Sequence, residues 1–280
     1  LLIFWIFIFR YVYSTVHVQL IGPRYVTYGS TAVFHCNHSV LDSYLHKVEF
    51  IKDDKKILQY IKDRNPPFVE WQIEGANMEA SIYSENGTTI KLKDVRFEAS
   101  GSYFCEVSMT TPIYTEASES LPMKVIVPQT ENPKITFKKS FYVVGESLEA
   151  NCTSSAARPV PHLTWFINGK EFRSSRRFLL KNNITLVNHY PLTHYKDHLM
   201  SATAKLMIEV SALHAGENGF LEISCFSTIP DYPMHHGQYA DVRNKTVSGK
   251  YQTMRGSNIL VCLDNYKYFL VAILLPFSVF

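Results

Sequence analysis

The chain lacks most features that announce catalysis or metal binding. It has five cysteines, and no two are close enough for the two-to-four-residue spacing of zinc sites. No Gly-rich phosphate loop, Gly-x-Ser-x-Gly elbow or His-Glu-x-x-His pair is present. The formal charge is only +3, which gives no electrostatic reason for a nucleic-acid partner. Glycine is modest, at 12 residues. These absences point away from an enzyme and from any cofactor or metal. The length suits two ordinary domains and is short for three.

What the chain has in quantity is aromatic surface, with 17 Tyr and 18 Phe, which suits pleated sheets. Asp94–Ser108 organises the rest. An apolar run of Ile90, Leu92 and Val95 leads to a turn at Ser100–Gly101, and Tyr103 stands two residues before Cys105. That offset belongs to the E–F corner of an immunoglobulin sandwich, where the Tyr bonds back across the turn. Cys36 and Cys105 are 69 positions apart, and Cys152 and Cys225 are 73 apart. Both separations suit a B-to-F bridge. Each would stabilise by about 4 kcal/mol in the chain-entropy account, and such bridges persist in an oxidising compartment.

The fold expected is therefore all-β: two tandem immunoglobulin-like β-sandwiches. In the first, residues 15–127, strand B runs into Cys36, and Phe50 takes the place usually held by a Trp. Short strands at Ile57–Ile61 and Phe68–Ile73 add C′ and C″ material, so a variable-type domain is expected. Pro128–Pro133 reads as a linker. The second domain, 128–243, has Trp165 thirteen residues after Cys152, but Ile223 where the corner Tyr would be. Lys181–Met200 reads as a loop-rich crossing, and residues 244–258 as a polar stalk.

The ends carry targeting signals. Leu1–Phe9 is an apolar run, and residues 1–14 read as an N-terminally incomplete signal peptide. Residues 259–280 read as a hydrophobic tail. Its final apolar run, Tyr268–Phe280, is shorter than the roughly 20 residues of a spanning helix. Small residues at Gly256–Asn258 followed by a spacer fit a glycolipid-anchor signal. The alternatives are a transmembrane segment from Ile259 and a secreted, soluble protein whose tail is something else.

Candidate sites follow from the strand phase. With Phe50 and Cys105 inward, Glu49, Ile51 and Asp53 point outward on strand C, and Phe104, Glu106 and Ser108 outward on strand F. Ile51 and Phe104 would then be an apolar pair rimmed by charge, as a recognition patch requires. Asn37, Asn86, Asn183 and Asn244 head glycosylation triplets, and Asn151 heads one whose middle residue is Cys152. Lys170, Arg173, Arg176, Arg177 and Lys181 cluster, and could meet acidic glycans or simply form a solvated loop. His189, His194 and His198, like His235 and His236, read as exposed loop residues rather than zinc ligands.

The stretches Gly101–Ser108 (GSYFCEVS), Pro112–Thr115 (PIYT), Tyr142–Gly145 (YVVG), Asn151–Ser154 (NCTS) and Leu163–Trp165 (LTW) resemble the beaten path family of insect cell-surface immunoglobulin proteins. The resemblance runs from about Val18 to Tyr232. It implies neuronal recognition in axon guidance, defasciculation or synaptic partner choice. It also implies a sidestep-type immunoglobulin receptor as partner. A secreted or surface-attached immunoglobulin protein that binds acidic glycans through the basic cluster of the second domain is the rival expectation.

Overall fold

The computed structural model describes residues 16–78, 86–172, 181–186, 199–211, 214, 219–230, 239–253 and 259–263. It is built of strands arranged in two compact units, Leu1–Ile126 and Val127–Phe280. The signal-peptide residues, Arg173, Arg176, Arg177, the two histidine clusters and residues 264–280 lie outside the described residues. Among those described, no helix is long and apolar enough to cross a membrane.

The first unit contains β1 (Val18–Ile21), β2 (Tyr25–Thr27), β3 (Ala32–His38), β4 (Leu45–Lys52), β5 (Lys55–Ile61), β6 (Phe68–Glu70), β7 (Asn77–Met78), β8 (Thr89–Lys93), β9 (Gly101–Met109), β10 (Tyr114–Ala117) and β11 (Leu121–Ile126). One sheet runs β1-β3-β8-β7. The other runs β2-β11-β9-β4-β5-β6, with β10 also on β9. The core between them follows the period-two rule. In β3, Ala32, Phe34 and Cys36 are buried, while Val33, His35 and Asn37 face solvent. Cys36 bonds Cys105, joining the two sheets.

Phe50 is 1% exposed, opposite Cys105 in the register, so it fills the place expected of a Trp. Tyr103 stacks on Phe34 with ring centroids 4.6 Å apart. Its hydroxyl donates to the Ala99 carbonyl at 2.6 Å, closing the corner after the short 3-10 turn Phe97–Ala99. Gly101 leaves room for a second contact. A Cβ there would press on the Asp53 carboxylate, because the Asp53–Asp54 turn docks on this corner. Ser102 N–H donates to Asp53 Oδ1 at 2.8 Å, and Asp53 N–H donates to the Ser102 carbonyl at 2.9 Å.

The second unit contains β12 (Lys134–Phe137), β13 (Phe141–Val143), β14 (Ser147–Thr153), β15 (His162–Ile167), β16 (Lys170–Glu171), β17 (Lys181–Leu186), β18 (Met200–Glu209), β19 (Phe220–Ile229), β20 (Asp241–Thr253) and β21 (Ile259–Leu263). Its sheets run β12-β14-β18-β17 and β13-β21-β20-β19-β15-β16. The Cys152–Cys225 bridge spans them, and Trp165 is buried beside it, opposite Cys225. Ile223, in the corner-Tyr position, is fully buried.

Four boundaries differ from those expected of the sequence. The presumed linker is bound to the second unit. Gln129 is 2% exposed, its N–H and side-chain amide both donate to Asp241, and Arg243 donates to its carbonyl at 3.0 Å. Lys181–Leu186 is a strand rather than a loop, because β18 supplies it with a complete pairing partner. The presumed polar stalk is largely β20, which pairs with β19 from Asp241 to Lys250. Its polar residues, Asn244, Lys245 and Lys250, are exposed, while Val247 lies in the core. The presumed tail begins with β21. This strand sits between β13 and β20 and buries Val261 and Leu263.

Two stability measurements follow. Tyr103→Phe removes one buried hydrogen bond and is expected to lower the denaturation free energy of the first unit by about 1 kcal/mol. Truncation after Gly256 strips β21 from the second unit. Burial of Val261 and Leu263 is worth about 1.5–3 kcal/mol each, so the second unit is expected to melt well below the intact chain in calorimetry. An unchanged transition would show that β21 contributes nothing.

Candidate functional site

Strands β4, β5, β9 and β10 present one continuous outer face in the first unit. Core-facing Val48, Phe50, Val107 and Cys105 fix the phase. The residues between them form three rows across the sheet. Ile61, Lys47, Ser108 and Thr115 make one. Gln59, Glu49, Glu106 and Ala117 make the next. Lys56, Ile51 and Phe104 make the third.

The expected outward residues lie on this face, but their exposure corrects the expected patch. Ile51 is 4% exposed, so it is no water-facing apolar partner for the half-buried Phe104. A bulge between Phe50 and Ile51 distorts the β4–β5 pairing at this point. Ser108 is also buried, and its hydroxyl bonds the Thr115 hydroxyl at 2.8 Å. Asp53 lies outside β4, in the turn that docks on the corner. Hydrogen bonds from Lys52 and the Ser102 N–H hold its pKa below the usual carboxylate value.

Glu49 is the centre of the face and is 1% exposed. Lys47 Nζ reaches Oε2 at 2.6 Å, and Lys56 Nζ and Gln59 Nε2 each reach Oε1 at 2.6 Å. Burial pushes the Glu49 pKa up. The hydrogen bonds from Lys47, Lys56 and Gln59 outweigh it and hold the carboxyl below its ordinary value. The middle of the sheet is thus a neutralised, hydrogen-bonded plate rather than an apolar patch. Strand phase placed Glu49 on this face, but nothing in a period-two pattern says that two lysines and a glutamine converge on it.

A cluster of exposed apolar side chains lies instead at the end of the sheet where Leu45 pairs with Met109. Leu41 and Tyr44 stand there in the loop before β4, 66% and 45% exposed. Ile113 and Tyr114 stand in the hairpin after β9, 94% and 46% exposed. The two loops are tied together, because Thr110 N–H donates to the Tyr44 carbonyl at 3.0 Å. The loop before β4 is further tied to the residue that follows β5, since Lys62 bonds both the carbonyl and the carboxylate of Asp42. Tyr114 donates to Glu116. Sequence reasoning placed none of these four residues at a contact site, although Ile113 and Tyr114 lie in the Pro112–Thr115 stretch. The available signal was Pro112-Ile113-Tyr114, an apolar triplet at a hairpin tip where polar residues are usual.

Among the described residues, no group of His, Cys, Asp and Glu could hold a metal ion. Asn37, Asn86, Asn151 and Asn244 are exposed, and Asn183 lies in β17. Of the basic cluster, Lys170 begins β16 and Lys181 begins β17.

Comparison with known proteins gives a consistent picture. The CD80-like C2-set immunoglobulin domain matches residues 127–201, the first part of the second unit. Cell adhesion molecule 1 of Mus musculus is 23% identical over 145 residues, which are 52% of this chain and 29% of that protein. The Homo sapiens protein of the same name is 22% identical over 145 residues, covering 52% and 30%. The muscle M-line assembly protein unc-89 of Caenorhabditis elegans is 24% identical over 191 residues, 64% of this chain but 2% of its own length. The chain therefore spans less than a third of each relative it matches here.

The charge plate gives a pH-dependent expectation. A carboxylate whose folded pKa lies below its unfolded value adds stability at neutral pH, and that stability is lost as pH falls through the folded value. Glu49→Gln is expected to cost about 1 kcal/mol at pH 7. Denaturant titrations at falling pH should show the gap to the parent protein closing below the ordinary carboxylate pKa. A gap that stays constant with pH would contradict the ion-pair assignment.

Proposed function

We propose that this chain is an extracellular recognition and adhesion protein. It binds an immunoglobulin-type receptor on another cell through its first unit, and the second unit serves as spacer. The single observation that carries this reading is the loop end of the first unit. Four large side chains stand exposed there, three on two loops that hydrogen-bond to each other and to β4 and one, Tyr114, at the start of β10. Loops ordered before contact lose less entropy on binding. Clustered exposed aromatic and aliphatic side chains on a secreted domain mark contact surfaces.

Three further observations support it. The two disulfides suit an oxidising compartment. The adhesion molecules matched above share about half of this chain at low identity. The beaten path resemblance adds the finer part of the proposal, a neuronal role in axon guidance with a sidestep-type receptor as partner. Attachment to the outer face of the plasma membrane, by a lipid anchor or a span, belongs to the same proposal. Glycan binding through the basic cluster is the competing proposal. It predicts heparin retention that falls with salt and is lost on Arg176→Ala with Arg177→Ala.

The test is a binding screen of the purified chain against arrayed immunoglobulin-type ectodomains, sidestep-type receptors and the chain itself included. Ile113→Asp is expected to weaken a partner found there at least tenfold while leaving the melting temperature unchanged, because Ile113 is almost fully exposed. Unchanged affinity in both Ile113→Asp and Tyr44→Asp would remove the loop end from the proposal.

A further inference from the structure

Strand β21 (Ile259–Leu263) lies inside its sheet rather than at an edge, in the order β13-β21-β20. It pairs with Gly249–Thr253 of β20 on one side and with Phe141–Val143 of β13 on the other. Val261 is fully buried and Leu263 nearly so, and both belong to the core of the second unit. Tyr142, equally buried, faces Val261 in the register. Leu263 N–H donates to the Ser140 carbonyl at 3.2 Å, so the pairing holds to the last residue of the strand.

This placement bears on the anchor signal read from the sequence, with Gly256–Asn258 as its small-residue site and Ile259–Lys267 as its spacer. The site itself lies outside the described residues. Anchor transfer replaces the peptide bond after the site residue by an amide to the anchor's ethanolamine, and the C-terminal peptide leaves with a free amine. Transfer at any of the three residues would therefore remove β21 whole. The loss would not stop there. Among the described residues β13 pairs with no strand but β21, so it would be orphaned as well. The distance from β13 to β20 is two strand spacings, about 9–10 Å, which no backbone hydrogen bond bridges. The spacer fits no better, because Ile259–Leu263 is paired strand where the signal calls for free polar chain. A membrane span starting at Ile259 meets the same objection. Residues in the bilayer cannot also pair with β13 and β20.

We propose that Ile259–Leu263 is a permanent part of the second unit in the mature protein. Anchor transfer does not take place at Gly256–Asn258, and hydrophobic attachment to a membrane begins after Leu263. The inference rests on the recognition proposal only in refining the attachment named there. The retention of β21 follows from the sheet alone.

The test needs no partner protein. The full chain is expressed in eukaryotic cells, and the mature protein is collected from medium and cell surface. Trypsin cuts after Arg255 and Lys267, so an unprocessed chain yields the peptide Gly256–Lys267. Mass spectrometry is expected to find that peptide in most mature molecules. A mature C terminus before Leu263, or ethanolamine on Gly256, Ser257 or Asn258, overturns the proposal. Hydrogen exchange gives a second readout. In a chain ending at Asn258, amides of β13 and of Gly249–Thr253 are expected to exchange at least tenfold faster than in the full chain. A shortened chain that fails to fold points the same way. Equal protection in the two chains would show that β21 is dispensable and overturns the proposal too. A failed binding screen leaves these outcomes untouched and bears only on recognition.

Discussion

The first unit depends on strand β9 serving two faces at once. Tyr103, Cys105 and Val107 must enter the core, where Cys105 is bonded to Cys36 and Tyr103 stacks on Phe34. Because side chains alternate along a strand, that requirement sends Phe104, Glu106 and Ser108 to the other face. Slipping β9 by one residue would break the disulfide, orphan the Tyr103 hydroxyl and bury two charged or polar groups together. The covalent bridge therefore fixes the identity of the outer face as well as the core. The Asp53 turn adds a clamp at one end of the strand, and the Tyr44–Thr110 hydrogen bond adds another at the other end.

Between those clamps the sheet divides its labour. Its centre is satisfied internally, with the Glu49 carboxylate consumed by Lys47, Lys56 and Gln59. A buried ion pair of this kind adds little net stability against an apolar alternative, but removing one member leaves an uncompensated charge. Such a plate favours one arrangement of β4 against β5 and offers few unmet polar groups to a partner. The unmet surface is apolar and sits at the loop end.

The second unit shows how a sheet can absorb sequence that looks like something else. β20 carries Asn244, Lys245, Thr246 and Lys250 on its solvent side, and in composition this resembles a tether. β21 is apolar and precedes the apolar C-terminal residues, so in composition it resembles the start of a membrane tail. Both are strands because β19 and β13 present unpaired edges that they complete. Backbone hydrogen bonding across those edges is indifferent to side-chain polarity, and composition carries no trace of it. Gln129 is a parallel case. A polar residue in a Pro-flanked stretch is buried because Ser227, Asp241 and Arg243, far along the chain, satisfy it.

What the amino-acid order settled by itself was the architecture: two sandwiches, each with its own bridge, a corner Tyr in the first and an inward Trp in the second. Those features are local or fixed in spacing. Cys36 and Cys105, Tyr103 and Cys105, and Phe50 in the Trp position can all be located by counting. What only the tertiary arrangement decided was which residues meet water. Ile51 and Glu49 point outward by strand phase and are nonetheless buried, because Glu49 is enclosed by three side chains from β4 and β5. Leu41 and Ile113 are apolar and nonetheless exposed, because the loops that carry them are held at the rim of the sandwich by backbone hydrogen bonds. Side-chain direction follows from a strand's own period, whereas burial depends on what the neighbouring strands and loops place above it.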